Sequence, residues 1–287
     1  MFFSLHARIF PTGLVCAAAL LLSPGAVLLS QDAGADAKTA KTPKATGSDG
    51  DKRRELHLYM KGRFLFQKHC VDCHGKTGRG NGPFAAELET KPRNFRTGLF
   101  KFRSTPFGRL PVKEDLQRTI RTGISGTAMP FFKEISDEDV DALIVYLQSL
   151  SRKWKDPALA AEPLTIPPVP EWFDEEAVAA AHAARGGTRF AQLCALCHGA
   201  EGKGDGQGAG RLMDAWNEPI VPADLSVPRY KSGESPRDLY RTIATGLNGT
   251  PMIGYADLLQ ENEIWELVAF IRALGQDAKP GAIEPQP

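Results

Sequence analysis

The strongest constraint on how this chain folds is one short pattern that occurs twice. Residues 69–75 read H-C-V-D-C-H-G and residues 193–199 read L-C-A-L-C-H-G, which places four of the five cysteines in two copies of C-x-x-C-H. Two thiols separated by two residues lie close enough to react with one shared ligand, and the histidine that follows adds a nitrogen donor. We therefore expect two sites of the same chemistry.

Several kinds of site contain a C-x-x-C pair, and the surrounding sequence distinguishes them. C-x-x-C-H is the attachment signature of c-type haem, in which two thioether bonds hold the porphyrin. The C-x-x-C pairs of a zinc ribbon are typically ~15 to 20 residues apart, whereas Cys73 and Cys194 are 121 positions apart. A thioredoxin-like pair requires a βαβ setting, and a disulfide accounts for the cysteines but not for the histidine. The pattern therefore favours covalent haem.

A methionine follows each motif at nearly the same distance. Met129 lies 55 residues after His74 in G-T-A-M-P, and Met252 lies 54 residues after His198 in G-T-P-M-I. A thioether sulfur favours ferrous over ferric iron, so a Met/His haem has a raised potential. Core packing is the alternative role, but matched positions in Gly-Thr loops favour ligands. The unmatched methionines and histidines are expected to be packing or surface residues: Met60, Met213, His57, His69 and His182.

The two halves share further residues, as a tandem duplication produces. A glycine and a phenylalanine precede the first cysteine of each motif by eight and four residues. Glycine one helical turn from phenylalanine lets another helix approach closely, so we expect the first helix of each half to cross its last helix. The glycines are Gly62 and Gly186, and the expected aromatic pairs are Phe66 with Tyr146 and Phe190 with Phe270.

The predicted fold is all-α, because no period-2 strand pattern is sustained. Residues 152–181 contain E-P-L-T-I-P-P-V-P-E-W-F, which cannot be the interior of a continuous helix and is expected to run extended. The expected boundaries are a signal peptide or uncleaved anchor at 1–35, a tether at 36–51, one domain at 52–151, a linker at 152–181, a second domain at 182–275 and a tail at 276–287.

The N-terminus has the features of an export signal. An apolar run spans residues 9–29 after Arg8, and the small residues 33–35 offer a cleavage site. An uncleaved anchor is the alternative, since the run approaches the ~20 residues that span a bilayer, although Pro11 and Pro24 interrupt it. Both alternatives place the remaining chain outside the cytoplasm, in the periplasm, free or tethered to the membrane.

The charge of the chain is uneven. The net charge is +1, but residues 52–151 carry 18 Lys/Arg against 11 Asp/Glu, and residues 186–275 carry 8 against 11. A nucleic-acid-binding protein would show a denser basic stripe with interleaved aromatics. The basic first half is instead expected to attract an acidic protein partner.

Both halves resemble the class I cytochrome c domain, and together they resemble a tandem dihaem cytochrome c of the bacterial periplasm. The resemblance rests on C-x-x-C-H with a downstream loop methionine and covers residues 55–150 and 182–275. It implies helical domains wrapped round two covalently bound haem c groups. The residues that it implies are Cys70, Cys73, Cys194 and Cys197 for the thioethers, His74 and His198 as proximal iron ligands, and Met129 and Met252 as distal ones.

Less specific roles follow from the same resemblance. In such domains a proline carbonyl often accepts a hydrogen bond from the ligand imidazole, and Pro83 is the candidate in the first half, where Gln207 occupies the matching place in the second. Arg118 and Arg241 match in R-T-I and are expected either to meet haem propionates or a partner, or simply to be exposed. Phe102-Arg103-Ser104 and Tyr230-Lys231-Ser232 match without an expected role.

With both axial positions filled, neither iron would have an open position for substrate. The expected function is therefore outer-sphere electron transfer between a donor and an acceptor protein. One alternative is a haem subunit fixed to a dehydrogenase or oxidase complex. A dihaem peroxidase is a further alternative, but it needs one open iron, which the two matched methionines disfavour.

Overall fold

The computed structural model describes residues 49–276, which are helical and contain no strand beyond one isolated bridge between Met213 and Pro219. The α-helices are α1 (Asp49–His69), α2 (Val71–His74), α3 (Lys113–Thr122), α4 (Asp137–Ser149), α5 (Glu176–Leu193), α6 (Ala195–His198), α7 (Pro236–Thr245) and α8 (Glu261–Gln276). Short 3-10 helices span Phe95–Thr97, Arg152–Lys155, Pro157–Leu159, Glu171–Asp174 and Ala209–Arg211. The helices α5–α8 repeat α1–α4 in order, as the duplication predicts.

The predicted signal or anchor, residues 36–48 of the predicted tether and residues 277–287 of the tail lie outside the described part of the chain. Helix α1 begins three residues before the expected start of the first domain, and α5 begins at Glu176, ahead of the expected residue 182. Among the helices of residues 49–276, none combines the length and the apolar character that a membrane crossing requires.

The crossing of first and last helices is confirmed in both halves. Gly62 of α1 is buried against α4, where a Cβ atom would overlap the Ala142 carbonyl oxygen. One turn later, the Phe66 and Tyr146 rings are 5.2 Å apart. In the second half, a Cβ at Gly186 would overlap the Glu266 carbonyl, and the rings of Phe190 and Phe270 are 5.1 Å apart. In each pair, a C-x-x-C-H motif follows directly after the end of the first helix.

The short helices α3 and α7 end in a way that sets up the methionine loops. Gly123 and Gly246 cap them with φ angles of 67° and 66°, a left-handed region that favours glycine. The chain reverses there and enters the loops that contain Met129 and Met252. Each methionine therefore lies six residues after the glycine that ends the preceding helix.

Each half has its own apolar core, and the connector is attached to both. Leu164 and Ile166 of the connector pack on the second core, while the Leu164 amide donates to the Ser104 carbonyl of the first half at 2.8 Å. Residues 160–170 form no regular secondary structure, as the prolines predict. The expectation of an extended linker over residues 152–181 therefore holds only for residues 160–170, because 3-10 helices form on both sides of this stretch and α5 begins at Glu176.

The two halves also contact each other directly. Arg103 is only 1% exposed, and its guanidinium donates to the carbonyls of Thr245 (2.6 Å) and Gly246 (3.0 Å) at the end of α7. Asn248 accepts from the Gly108 amide and donates to the Arg109 carbonyl, both at 2.8 Å. Residues of the first half therefore hold the start of the Met252 loop.

Candidate haem sites

The first half contains a cavity that brings its predicted site residues together. Cys70, Cys73, His74 and Met129 all line it. Its remaining walls are mainly apolar side chains from α1, α3, α4 and the loops between them: Phe66, Leu116, Ile120, Phe132, Leu143 and Leu147. The cavity thus combines two thiols, an imidazole and a thioether with the apolar surroundings that a porphyrin requires.

His74 is held in an orientation suited to metal binding. Its Nδ1 donates to the Arg93 carbonyl at 3.0 Å, and its ring stacks on Phe95 with centroids 4.5 Å apart. Because a carbonyl can only accept, Nδ1 carries the proton and Nε2 keeps a free lone pair. Burial lowers the pKa of His74, which favours this neutral form.

His198 repeats this arrangement. Its Nδ1 donates to the Ala223 carbonyl at 3.2 Å, and burial lowers its pKa. The prediction that the Pro83 carbonyl accepts the hydrogen bond from His74 is wrong, because the Arg93 carbonyl is the acceptor. In the second half the acceptor is the Ala223 carbonyl and not Gln207. Both acceptors directly follow the prolines of P-R-N-F and P-A-D-L. The matched prolines could therefore have identified both acceptors from the sequence alone.

The two methionine loops have the same hydrogen bonds. The Met129 amide donates to the Thr127 hydroxyl at 3.1 Å, and its carbonyl accepts from the Ile124 amide at 3.1 Å. The Met252 amide donates to the Thr250 hydroxyl at 3.2 Å, and its carbonyl accepts from the Leu247 amide at 2.9 Å. Threonine in G-T-x-M therefore fixes the loop that presents the sulfur.

The Met252 loop reaches the second C-x-x-C-H segment through Tyr255. The Tyr255 hydroxyl donates to the Leu193 carbonyl at 3.3 Å, at the end of α5. Both thiols of the motif, Cys194 and Cys197, are close enough to raise the pKa of this tyrosine, although burial is the larger cause. Tyr255, three residues after Met252, therefore lies near the second cysteine pair.

The thiols suit covalent attachment better than metal ligation. All four are free and partly buried, and burial raises the pKa to about 12 for Cys70 and about 11 for Cys194. A zinc ligand must be a thiolate, which burial disfavours at Cys70 and Cys194. Within residues 49–276, no group of three His, Cys, Asp or Glu side chains is placed to hold a metal ion. The residues present therefore fit haem c rather than zinc.

The unmatched methionines and histidines behave differently from the matched ones. Met60 and Met213 are about half exposed, and His57 is exposed. His182 stacks on Trp172, and its Nδ1 lies 3.2 Å from Glu266, so this nitrogen already has a partner. His69 is exposed as a residue but lies at the edge of the first cavity, against Phe132.

The matched arginines are paired with acids on their own helices. Arg118 bonds Asp115 at 2.8 Å, and Arg241 bonds both Asp238 at 2.5 Å and the Ser232 carbonyl at 3.1 Å. Arg118 also lowers the pKa of Arg241, after burial as the larger cause, so the two pairs lie near each other across the halves. Their role at haem propionates stays a prediction.

Sequence comparison agrees with this geometry. The family model described as cytochrome c oxidase, cbb3-type, subunit III matches residues 57–147 and 181–271. The chain belongs to this family. Each match covers one C-x-x-C-H motif and its methionine loop, so this member of the family is a tandem cytochrome c, a c-type electron carrier whose family implies covalently bound haem c.

Two known proteins are similar to this family member. A thiosulfate dehydrogenase of Psychrobacter arcticus is 22% identical over 215 residues, which cover 74% of this chain but only 58% of that enzyme. A chain of the reducing HAO-like protein complex of Kuenenia stuttgartiensis is 33% identical, with a TM-score of 0.68, and the match covers 75% of this chain and 95% of that one.

Proposed function

We propose that the protein carries electrons by outer-sphere transfer between redox proteins outside the cytoplasm, through two haem c groups. Cys70 and Cys73 would hold the first group and Cys194 and Cys197 the second. His74 with Met129, and His198 with Met252, would bind the two irons. The observation that carries this proposal is the meeting of all four first-half residues in one cavity.

When bound, haem c supplies an iron that changes oxidation state by one electron, and the chain supplies its environment. The hydrogen bonds from His74 to Arg93 and from His198 to Ala223 fix both imidazoles. The threonine-supported loops present the methionine sulfurs, which favour ferrous iron and raise the potential. Apolar walls keep water away, so little reorganisation accompanies each electron.

Reductive titration and peroxide turnover test this function together. The purified exported protein should take up two electrons per chain, pass them to an oxidant and turn over no peroxide. Filled axial positions leave no place for peroxide to bind, which is the physical reason for the last result. Peroxide turnover together with a high-spin ferric haem would instead support the dihaem peroxidase.

A haem subunit of a larger redox complex is the second candidate. It is supported by the similarity to a chain of the HAO-like protein complex and, more weakly, to a thiosulfate dehydrogenase. Affinity purification from the native host at low salt distinguishes the two candidates. A stoichiometric dehydrogenase or oxidase partner favours the subunit, and a free monomer favours the shuttle.

The remaining elements of the proposal concern location and docking. An export signal at residues 1–35, or an anchor at residues 9–29, would place the haems in the periplasm. An acidic partner would dock on the basic first half, since complementary charge speeds encounter. Mass measurement of the mature N-terminus would distinguish cleavage from retention.

A further inference from the structure

Four Lys and Arg side chains line the first cavity, and one of them belongs to the second half. The Lys91 ammonium donates to the Ala85 and Ala86 carbonyls at 3.3 and 3.0 Å, so backbone oxygens already hold it. Arg93 and Lys101 come from the first half, and Lys231 comes from the loop before α7. The Lys231 ammonium donates to the Thr90 hydroxyl of the first half at 3.1 Å. The second half therefore places a positive charge at the first cavity.

Among residues 49–276, no carboxylate forms a hydrogen bond or an ion pair with Arg93, Lys101 or Lys231, although Asp214 is near enough to raise the pKa of Arg93 and of Lys101 against the effect of burial. Within residues 49–276, the Lys101 ammonium has neither a hydrogen bond nor an ion pair, and the Arg93 guanidinium lies over the Trp216 ring at 4.6 Å. Burial lowers the pKa of Arg93 to about 10, and burial with the charges of Arg93 and Lys231 lowers the pKa of Lys101 to about 8. Arg93 and Lys101 are partly buried without an ion pair, which is costly, so a further anion is expected beside them.

Haem c carries two propionate carboxylates, and the thioether bonds leave both free to meet cations. We propose that Lys231 of the second half, together with Arg93 and Lys101, binds the propionates of the haem in the first half. This inference rests on the proposed function. With Lys231 in this role, the first haem site is complete only when the two halves are in contact.

The segments that differ between the halves support this arrangement. The second half has six more residues between its motif histidine and the matched proline than the first half, and Trp216 lies in this longer segment. Asp214 holds the segment through hydrogen bonds from the amides of Trp216 (2.8 Å) and Glu218 (3.1 Å). The extra residues of the second half thus place an aromatic ring against Arg93 at the first cavity.

The two halves use this matched position differently. The residue that matches Lys231 in the first half is Arg103, which also crosses to the other half. Its guanidinium is occupied by the carbonyls of Thr245 and Gly246. The same position therefore holds backbone carbonyls in one direction and brings an ammonium to the first cavity in the other.

Substitution of Lys231 tests the inference through the potential of one haem. Loss of a nearby cation stabilises the ferric state, so Lys231→Gln should lower the midpoint potential of the first haem. A tenfold change in the reduction equilibrium, ~59 mV for one electron, is the expected size. Lys231→Arg should keep the potential. Lys155→Gln, at an exposed site, should leave it unchanged.

Two backgrounds assign the response to one haem. In Met252→His the second haem moves to low potential, which isolates the first, where Lys231→Gln should act. In Met129→His the isolated haem is the second, and Lys231→Gln should not shift it. No shift in the first background, an equal shift in the second, or an equal effect of Lys155→Gln would overturn the inference. If the protein that keeps Met129 and Met252 holds two Met-ligated haems, the proposed function survives a failure of this inference; if either haem is missing from that protein, the proposed function fails first.

Discussion

Gly62 of α1 and Ala142 of α4 are in such close contact that no side chain fits between them. A Cβ atom on Gly62 would overlap the Ala142 carbonyl oxygen and lie 3.0 Å from Cβ of Tyr146. This contact sets the crossing of the two helices, and α1 ends at the first cysteine motif. The geometry of the haem site thus depends on a glycine eight residues before Cys70.

Gly62→Ala is therefore expected to destabilise the protein, because the backbone of α4 must move to make room. Overpacking of this kind costs about 1–3 kcal/mol. Denaturant unfolding followed by circular dichroism measures the change. Gly210→Ala is the matched control, since nothing lies within 4 Å of its added Cβ; equal effects of the two substitutions would contradict the close contact.

Met129→Ala should change one haem and leave the other intact. Without the thioether sulfur, ferrous iron is favoured less, so one midpoint potential falls. The charge-transfer absorption of Met-ligated ferric haem should fall by about half, because one of two proposed ligands is lost. Met213→Ala, at a surface methionine, is the control. Unchanged spectra and potentials in Met129→Ala would exclude this residue as a ligand.

Glu266 gives the second half an acid-sensitive contact. It is buried and bonds Arg185 at 2.6 Å and Arg189 at 3.0 Å. Burial raises the pKa of Glu266, but these bonds outweigh it and hold the pKa below its usual value. A lowered folded-state pKa stabilises the protein above the unfolded value of about 4.3, and this stability is lost as pH falls through the folded value.

Glu266→Gln should therefore lower stability at neutral pH by about 1–3 kcal/mol and flatten its decline in acid. Unfolding midpoints measured from neutral pH down to about pH 3 test both effects. Glu218→Gln, at an exposed residue of the same half, controls for the loss of one charge. If stability falls in acid as steeply as it does in the unsubstituted protein, groups other than Glu266 cause the fall.

Electrostatic attraction to the first half predicts a salt effect on electron transfer. Oxidation of the reduced protein by ferricyanide, an anion, should slow as ionic strength rises, because the Debye length is ~10 Å at 0.1 M salt. Lys68→Gln, at an exposed residue of α1, should reduce both the low-salt rate and the salt slope. A rate independent of ionic strength would remove the steering argument.

The sequence alone predicted those parts of the fold that are repeated in it. Glycine and phenylalanine at fixed offsets predicted the two helix crossings, because helical periodicity places them on one face. The Pro83 carbonyl was the wrong acceptor, since proximity to the motif in sequence does not determine which loop returns beneath the imidazole. The role of Lys231 could not be predicted for a different reason. Its partner is in the other half, and the periodicity within one domain does not show how two domains pack together.

The central claim is that each half binds one haem covalently, and intact mass under denaturing conditions tests it most directly. The exported protein should carry two haems, while Cys70→Ala/Cys73→Ala and Cys194→Ala/Cys197→Ala should each carry one, because each cysteine pair forms the thioethers of its own site. A single haem in the unsubstituted protein, or loss of haem on denaturation, would contradict the account.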